Sequence, residues 1–188
     1  MTLLIAGLLL FTVAHLVPAA FADTRKQLVD TLGFNPYRGL FTLIIVISLA
    51  LIVFGWKATT PENIYAPPLH GSPIVSAFIF VAFVLFVASQ TKTNIRRLIR
   101  HPQMVAVLFW SLGHLLANGE TRSVILFGGL GVWAIVEIVL CNRRDGTWEK
   151  PAPTGISTDA VTVAIAAVPF ALILYFHQAL FGVPAWTR

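Results

Sequence analysis

Residues 72–90 read SPIVSAFIFVAFVLFVASQ, a run of 19 positions without one charged side chain. About 20 apolar residues cross the ~30 Å hydrocarbon core of a bilayer as an α-helix, so this stretch predicts a membrane span. The whole chain agrees, because 57% of its 188 residues are hydrophobic, 11% are charged and the mean hydropathy is +0.81. Since an ordinary soluble domain carries about 25% charged residues, this composition indicates an integral membrane protein.

Six apolar stretches predict an all-α bundle of about six transmembrane helices. They are Thr2–Ala22, Gly39–Gly55, Ser72–Gln90, Gln103–Ala117, Ser123–Cys141 and Thr158–Phe181. The fourth is short, and the Asn118-Gly119 pair after it is typical of a helix end followed by a tight turn. We therefore expect the fourth and fifth helices to form a hairpin, and residues 1–188 to form a single domain.

Ten of the 13 lysines and arginines fall in three alternate loops between these stretches. They are Arg25, Lys26 and Arg38, then Lys92, Arg96, Arg97 and Arg100, then Arg143, Arg144 and Lys150. The positive-inside rule places such loops in the cytoplasm, which predicts a multi-pass protein of a bacterial inner membrane with both termini periplasmic. Small basic groups between apolar runs are not the pattern of a nucleic-acid-binding surface, so we expect the lipid bilayer as partner and no nucleic acid.

The termini and the cysteine count add two expectations. The first stretch lacks a basic start and is longer than the apolar core of a signal peptide, so we interpret it as the first helix. Cys141 is the single cysteine, which excludes an intrachain disulfide and a CxxC metal site.

Four histidine or charged side chains lie in the interior of the apolar stretches: His15, His114, Glu137 and His177. Ionisable groups are costly inside a bilayer, by a few kcal/mol, and therefore indicate function. On the fourth helix, Ser111, His114 and Asn118 are spaced i, i+3 and i+7, which places them on one inward face. The alternative interpretation of His114 is a hydrogen bond between helices that only stabilises packing.

Two histidines on different helices can ligate the iron of a haem, and His15 with His114 is the pair available here. No CxxCH attachment motif is present, so such a haem is non-covalent haem b. Helical rise places the two residues about 10 Å apart in depth, which argues against direct pairing unless the helices tilt.

Glu137 falls close to the predicted depth of His15, so we expect it to accept the remaining ring N–H of that histidine. The alternative is an interfacial carboxylate beneath Arg143 and Arg144. His70 and His177 are predicted to lie at the membrane interface, not at a metal.

Arg100, His101 and Pro102 mark where the fourth helix enters the membrane, because proline suits the first turn of a helix. Beside these headgroup positions, Arg100 and His101 are candidates to bind a lipid phosphate or a haem propionate. A simple basic anchor next to a membrane span is the alternative.

The segment TNIRRLIRHPQMVAVLFWSLGHLLANGE (93–120), followed by SVILFGGLGVWAIVEI and NRRDG, resembles the NnrU family of bacterial membrane proteins. The opening FTVAHLVPA and NPYRGLF fit the start of that family. The resemblance implies an association with denitrification, through nitrite and nitric oxide reductase activity. The same domain occurs in the plastid zeta-carotene isomerase, a haem b enzyme, and the resemblance implies His15 and His114 as axial ligands here.

Other functions remain open from the sequence. The RHP tripeptide also resembles the RHPxYxG motif of isoprenylcysteine and phospholipid methyltransferases, although Met104 and Ala106 replace the Tyr and Gly. Three hypotheses follow: a haem-binding protein that supports nitrogen-oxide respiration, a membrane methyltransferase or isomerase, and a cofactor-free assembly or transport partner. The sequence does not decide whether the protein is an enzyme.

Overall fold

A computed structural model describes residues 1–185 of the chain, and over this range the secondary structure is entirely helical, with no strands. Its helices are α1 Thr2–Ala20, α2 Ala22–Leu32, α3 Phe34–Ala58, α4 Pro73–Gln90, α5 Ile95–Leu98, α6 Pro102–Ala117, α7 Thr121–Asp145 and α8 Ile156–Phe181. All six predicted spans are helical, which confirms the predicted fold class. The loop expected after the first span was wrong, because α2 occupies most of it.

Five helices, α1, α3, α4, α7 and α8, are long and apolar enough to cross a membrane. The fourth predicted span, α6, has 16 residues and a length of about 24 Å, which makes it the short member of the set. Only 11–22% of the residues in the long spans are buried inside the protein. The remaining apolar surface needs lipid around it, so the chain is a multi-pass membrane protein.

The chain divides into two compact units. Unit 1 contains Met1–Ile64 and Glu120–Thr147, and thus α1, α2, α3 and α7; unit 2 contains Tyr65–Gly119 and the described part of 148–188, and thus α4, α5, α6 and α8. The prediction of a single domain is not tested by this division and stays a prediction.

In unit 1, α1 packs against both α3 and α7 through positions that exclude a side chain. A Cβ atom on Gly55 of α3 would lie 2.6 Å from the Cα of Leu4, and one on Gly129 of α7 would collide with the side chain of Leu8. Leu4 of α1 and Ala134 of α7 are fully buried. Close backbone approach at glycine is how membrane helices gain packing contacts without a hydrophobic driving force between them.

In unit 2, α4 packs against α6 and α8. A Cβ atom on Gly113 would lie 2.9 Å from Cδ1 of Ile79, and the rings of Phe80 and Phe170 meet edge to face with centroids 5.2 Å apart. The fourth and fifth spans are consecutive and joined by three residues, and they fall in different units, α6 with α4 and α7 with α1. The predicted hairpin of these two spans stays a prediction.

A polar clamp fixes the start of α8 in unit 2. The carboxylate of Asp159 accepts hydrogen bonds from the hydroxyl of Thr93 and from the backbone N–H of Asn94, the latter at 2.8 Å. The side-chain amide of Asn94 also donates to the Asp159 carboxylate at 2.8 Å and to the Thr154 carbonyl at 2.9 Å. Asp159 and Asn94 therefore hold the segment between α4 and α5 against the start of α8.

Candidate functional site: a cleft in unit 1

A cleft of about 380 Å³ opens in unit 1 where α1, α2, α3 and α7 meet. It is lined by His15, Pro18, Ala19, Arg25, Phe34, Tyr37, Arg38, Phe41, Thr42, Glu137 and Arg144. Two of the four polar residues that the sequence placed inside the membrane, His15 and Glu137, thus share one cavity. Its volume lies within the range of small-molecule sites, about 300–1,000 Å³.

The imidazole of His15 is held by its own helix and by three aromatic rings. Its Nδ1 bonds to the backbone carbonyl of Phe11, one turn earlier, at 2.9 Å. The ring stacks at a tilt on Phe11, with centroids 4.2 Å apart, and meets Phe41 and Trp133 edge to face at 5.4 and 5.2 Å. With the Nδ1 proton directed to a carbonyl, Nε2 carries the free lone pair, which is the tautomer that a metal-ligating imidazole needs.

Glu137 does not bind His15 directly, and this corrects the expected hydrogen bond. Among residues 1–185 its Oε1 accepts a hydrogen bond from Cys141 Sγ at 3.7 Å, while Oε2 is buried without a hydrogen-bond partner. The reason is that the backbone carbonyl of Phe11 already takes the Nδ1 position of His15. The indole Nε1 of Trp133, one turn before Glu137, is likewise buried, and it interacts with the Glu137 carboxylate without a hydrogen bond of standard geometry.

Three arginines, Arg25, Arg38 and Arg144, line the same cleft beside apolar walls. Arg25 lies over the ring of Tyr37 at 5.8 Å and Arg38 over the ring of Phe34 at 5.4 Å. In the sequence these arginines indicate only the orientation of the protein, and Arg100 and His101 are the expected anion ligands. A useful signal was present, since Arg25 lies in a helix-compatible segment directly after the first span and Arg38 lies directly before the second.

The other predicted site residues lie in unit 2. His114 bonds through Nδ1 to the Trp110 carbonyl at 2.8 Å, and Asn118 donates to the His114 carbonyl at 2.9 Å. Ser111 is 3% exposed whereas Leu112 is 46% exposed, so Ser111 faces inward, while His114 and Asn118 are half-buried. The prediction that His114 ligates the same iron as His15 stays a prediction.

Arg100 and His101 directly precede α6, in which Pro102 occupies the first turn as predicted. His70 bonds through Nδ1 to the Ala117 carbonyl at 2.9 Å at an exposed position, and the half-buried His177 bonds through Nδ1 to the Val183 carbonyl at 2.8 Å. Within residues 1–185, no cluster of three or more His, Cys, Asp or Glu side chains could hold a metal ion. A haem needs only one or two such ligands from the protein, so this finding bears on other metal centres.

The chain matches the NnrU protein family over residues 3–185, almost its entire length. It belongs to the NnrU family. Searches of curated proteins and of solved structures gave no match. In this NnrU protein the match includes both histidines under discussion, His15 in unit 1 and His114 in unit 2, and also all the residues that line the cleft.

Proposed function

We propose that this NnrU-family protein binds haem b in the unit 1 cleft, with His15 as an axial ligand, and supports denitrification through nitric oxide handling. The observation that carries the haem assignment is the His15 ring, whose Nδ1 is bonded to the Phe11 carbonyl within a cavity. The denitrification role rests on the association of the NnrU family with nitrite and nitric oxide reductase activity.

The residues present fit this cofactor in three respects. His15 offers one imidazole nitrogen, Phe34, Tyr37 and Phe41 provide flat apolar walls, and the arginines provide cationic groups for carboxylates. Haem sites in helical proteins combine an axial histidine with an apolar pocket in this way. When bound, haem supplies an iron that exchanges electrons and binds nitric oxide.

Among the described residues that line the cleft, His15 is the one histidine. A single protein ligand leaves one axial position of a haem iron for an external molecule, which suits nitric oxide handling better than two histidines do. The pair His15 and His114, implied by the resemblance to the isomerase, is the competing ligation. Ligation by His15 alone and ligation by both histidines differ in the visible absorption spectrum, since paired imidazoles give a low-spin iron.

The orientation of the protein follows from its charges. We expect the arginine-bearing end of the cleft at the cytoplasmic face of a bacterial inner membrane, because Arg25, Arg38 and Arg144 belong to the basic segments between the predicted spans. Both termini then lie in the periplasm. In this orientation His15 lies within the membrane, a few residues from the end of α1 at Ala20.

The visible absorption spectrum of the purified protein, recorded with and without a reductant, tests the proposal. A Soret band that shifts on reduction and responds to added nitric oxide supports it. A colourless protein that binds a methyl donor would instead favour the methyltransferase, and a colourless protein that restores nitrite and nitric oxide reduction in a deletion strain would favour the cofactor-free partner. Either colourless result overturns haem binding.

A further inference from the structure

Two arginines of the unit 1 cleft carry charges that no acid balances. Among residues 1–185 the ion pairs are Arg122 with Glu120 and Arg144 with Asp145, and neither Arg25 nor Arg38 contacts a carboxylate. Both are solvent-exposed at the surface end of the cleft. An unpaired guanidinium beside a cavity is available to bind an anionic group.

Arg25 and Arg38 are held in position by aromatic rings and not by acidic side chains. Arg25 of α2 lies over Tyr37, and Arg38 of α3 lies over Phe34, both rings belonging to the first turns of α3 and both lining the cleft. A guanidinium stacked on a ring keeps its N–H groups free for a carboxylate or phosphate. The mouth therefore has two preoriented cationic groups on separate helices, above apolar walls.

Arg144 differs from them in its bonding. Its Nε and a terminal nitrogen donate to the two carboxylate oxygens of Asp145 at 2.7 and 3.3 Å. That bidentate pair satisfies much of its hydrogen-bonding capacity. Arg144 is therefore the weaker anion ligand of the three.

We infer that Arg25 and Arg38 bind the two propionate carboxylates of the haem. This inference rests on the proposed function, because it requires the macrocycle in the cleft. Two separate cations match two carboxylates on one flat apolar body, whereas the headgroup of an ordinary phospholipid presents a single phosphate. Arg25 and Arg38 would hold the carboxylate groups at the cleft mouth, and His15 would be the residue that binds the iron.

The test compares haem with its dimethyl ester, which keeps the macrocycle and iron but has no carboxylates. Full-length protein in nanodiscs of zwitterionic lipid is titrated with each compound, and binding is followed by the Soret absorbance. Wild type is expected to bind haem at least about tenfold more tightly than the ester, because charge-assisted hydrogen bonds are lost with the ester.

Single variants identify the arginines. Arg25→Gln and Arg38→Gln are each expected to weaken haem binding by about tenfold and to leave ester binding unchanged, which a general packing defect would not do. Arg144→Gln is expected to have a smaller effect. Arg143→Gln is the matched control, because Arg143 is an exposed arginine of the same helix that does not line the cleft.

The outcomes separate this inference from the proposed function. Equal binding of haem and ester by wild type, or equal weakening of both compounds in the variants, overturns the carboxylate assignment while haem binding stands. If adding anionic lipid to the nanodiscs weakens haem and ester equally in wild type, the arginines bind phospholipid headgroups and the inference is wrong. If neither compound gives a bound spectrum, both proposals are overturned.

Discussion

The His15 imidazole and the Trp133 indole meet edge to face with ring centroids 5.2 Å apart, and this contact joins α1 to α7 in unit 1. Trp133 is 4% exposed, and one turn later on its helix Glu137 lines the cleft that His15 also lines. The two polar residues predicted to lie at one depth therefore share a cavity, with an aromatic contact where the sequence suggested a hydrogen bond.

Glu137 carries an unpaired buried oxygen, so its replacement is expected to stabilise the protein. Glu137→Met keeps a similar length without the buried Oε2, and we expect the free energy of unfolding to rise by about 1–3 kcal/mol. Thermal unfolding in detergent measures this. Glu149→Met, at an exposed loop position, is the control with an expected change within about 0.5 kcal/mol. A lower midpoint for Glu137→Met would mean that the carboxylate has a stabilising partner.

Gly55 determines how closely α1 approaches α3. Gly55→Ala places a methyl group against the backbone of Leu4, which is expected to cost about 1–3 kcal/mol or more and to weaken haem binding, because α1 carries His15. Gly128→Ala is the matched control, since nothing lies within 4 Å of the added atom. The control is expected to be neutral or slightly stabilising. Equal unfolding midpoints for the two variants would contradict the described packing.

The sequence could predict the spans but not which helices pack together. Runs such as 72–90 need only length and apolarity to identify a helix that crosses a membrane, so their ends agree with the structure to within a few residues at most boundaries. The packing partners of α6 and α7 depend on which helix lies against Gly113 and which lies against Gly129. The spacing of residues in a single sequence does not encode that choice.

The candidate site was also predictable only in part, because the sequence shows which residues are unusual in a span but not which helices bring them together. His15 and Glu137 stand out because polar residues are rare in the spans. Arg25 and Arg38 look like ordinary loop charges until α2 and α3 bring them to one cleft. The bond from His15 to the Phe11 carbonyl is a rotamer choice at i−4 that the sequence allows without requiring.

Tyr65 links its loop to the end of α6, and its ionisation is expected to lower the stability of unit 2 at alkaline pH. Its hydroxyl hydrogen-bonds to the carbonyl oxygens of Leu115 and Asn118, and burial raises the pKa of this hydroxyl above its usual value of about 10. A raised folded pKa means that the stabilisation is complete below pH ~10 and is lost as the pH rises through the folded value.

Tyr65→Phe is accordingly expected to lower the free energy of unfolding by about 1 kcal/mol at neutral pH, and to remove part of the stability loss above pH ~10. Thermal unfolding at pH 7 and at pH 11 measures both effects. Tyr175→Phe is the control, since Tyr175 is 77% exposed and forms no such bond among the described residues. Identical pH profiles for wild type and Tyr65→Phe would contradict the assignment.

The charge distribution predicts the topology. A reporter active only in the periplasm is expected to be active when fused after Arg188, which lies outside the described residues, and inactive when inserted in the loop between Gly146 and Gly155. Activity at the second site together with inactivity at the first would invert the orientation. It would also place the arginines of the cleft on the periplasmic side.

Chemical rescue of His15 tests the haem ligand most directly. His15→Gly, purified in detergent, is expected to lack the Soret band of the wild type, and millimolar imidazole is expected to restore it by entering the space of the lost ring beside Phe11, Phe41 and Trp133. His177→Gly, at a residue of unit 2 that does not line the cleft, is expected to keep the wild-type spectrum without imidazole. A wild-type spectrum in His15→Gly without imidazole would contradict the account.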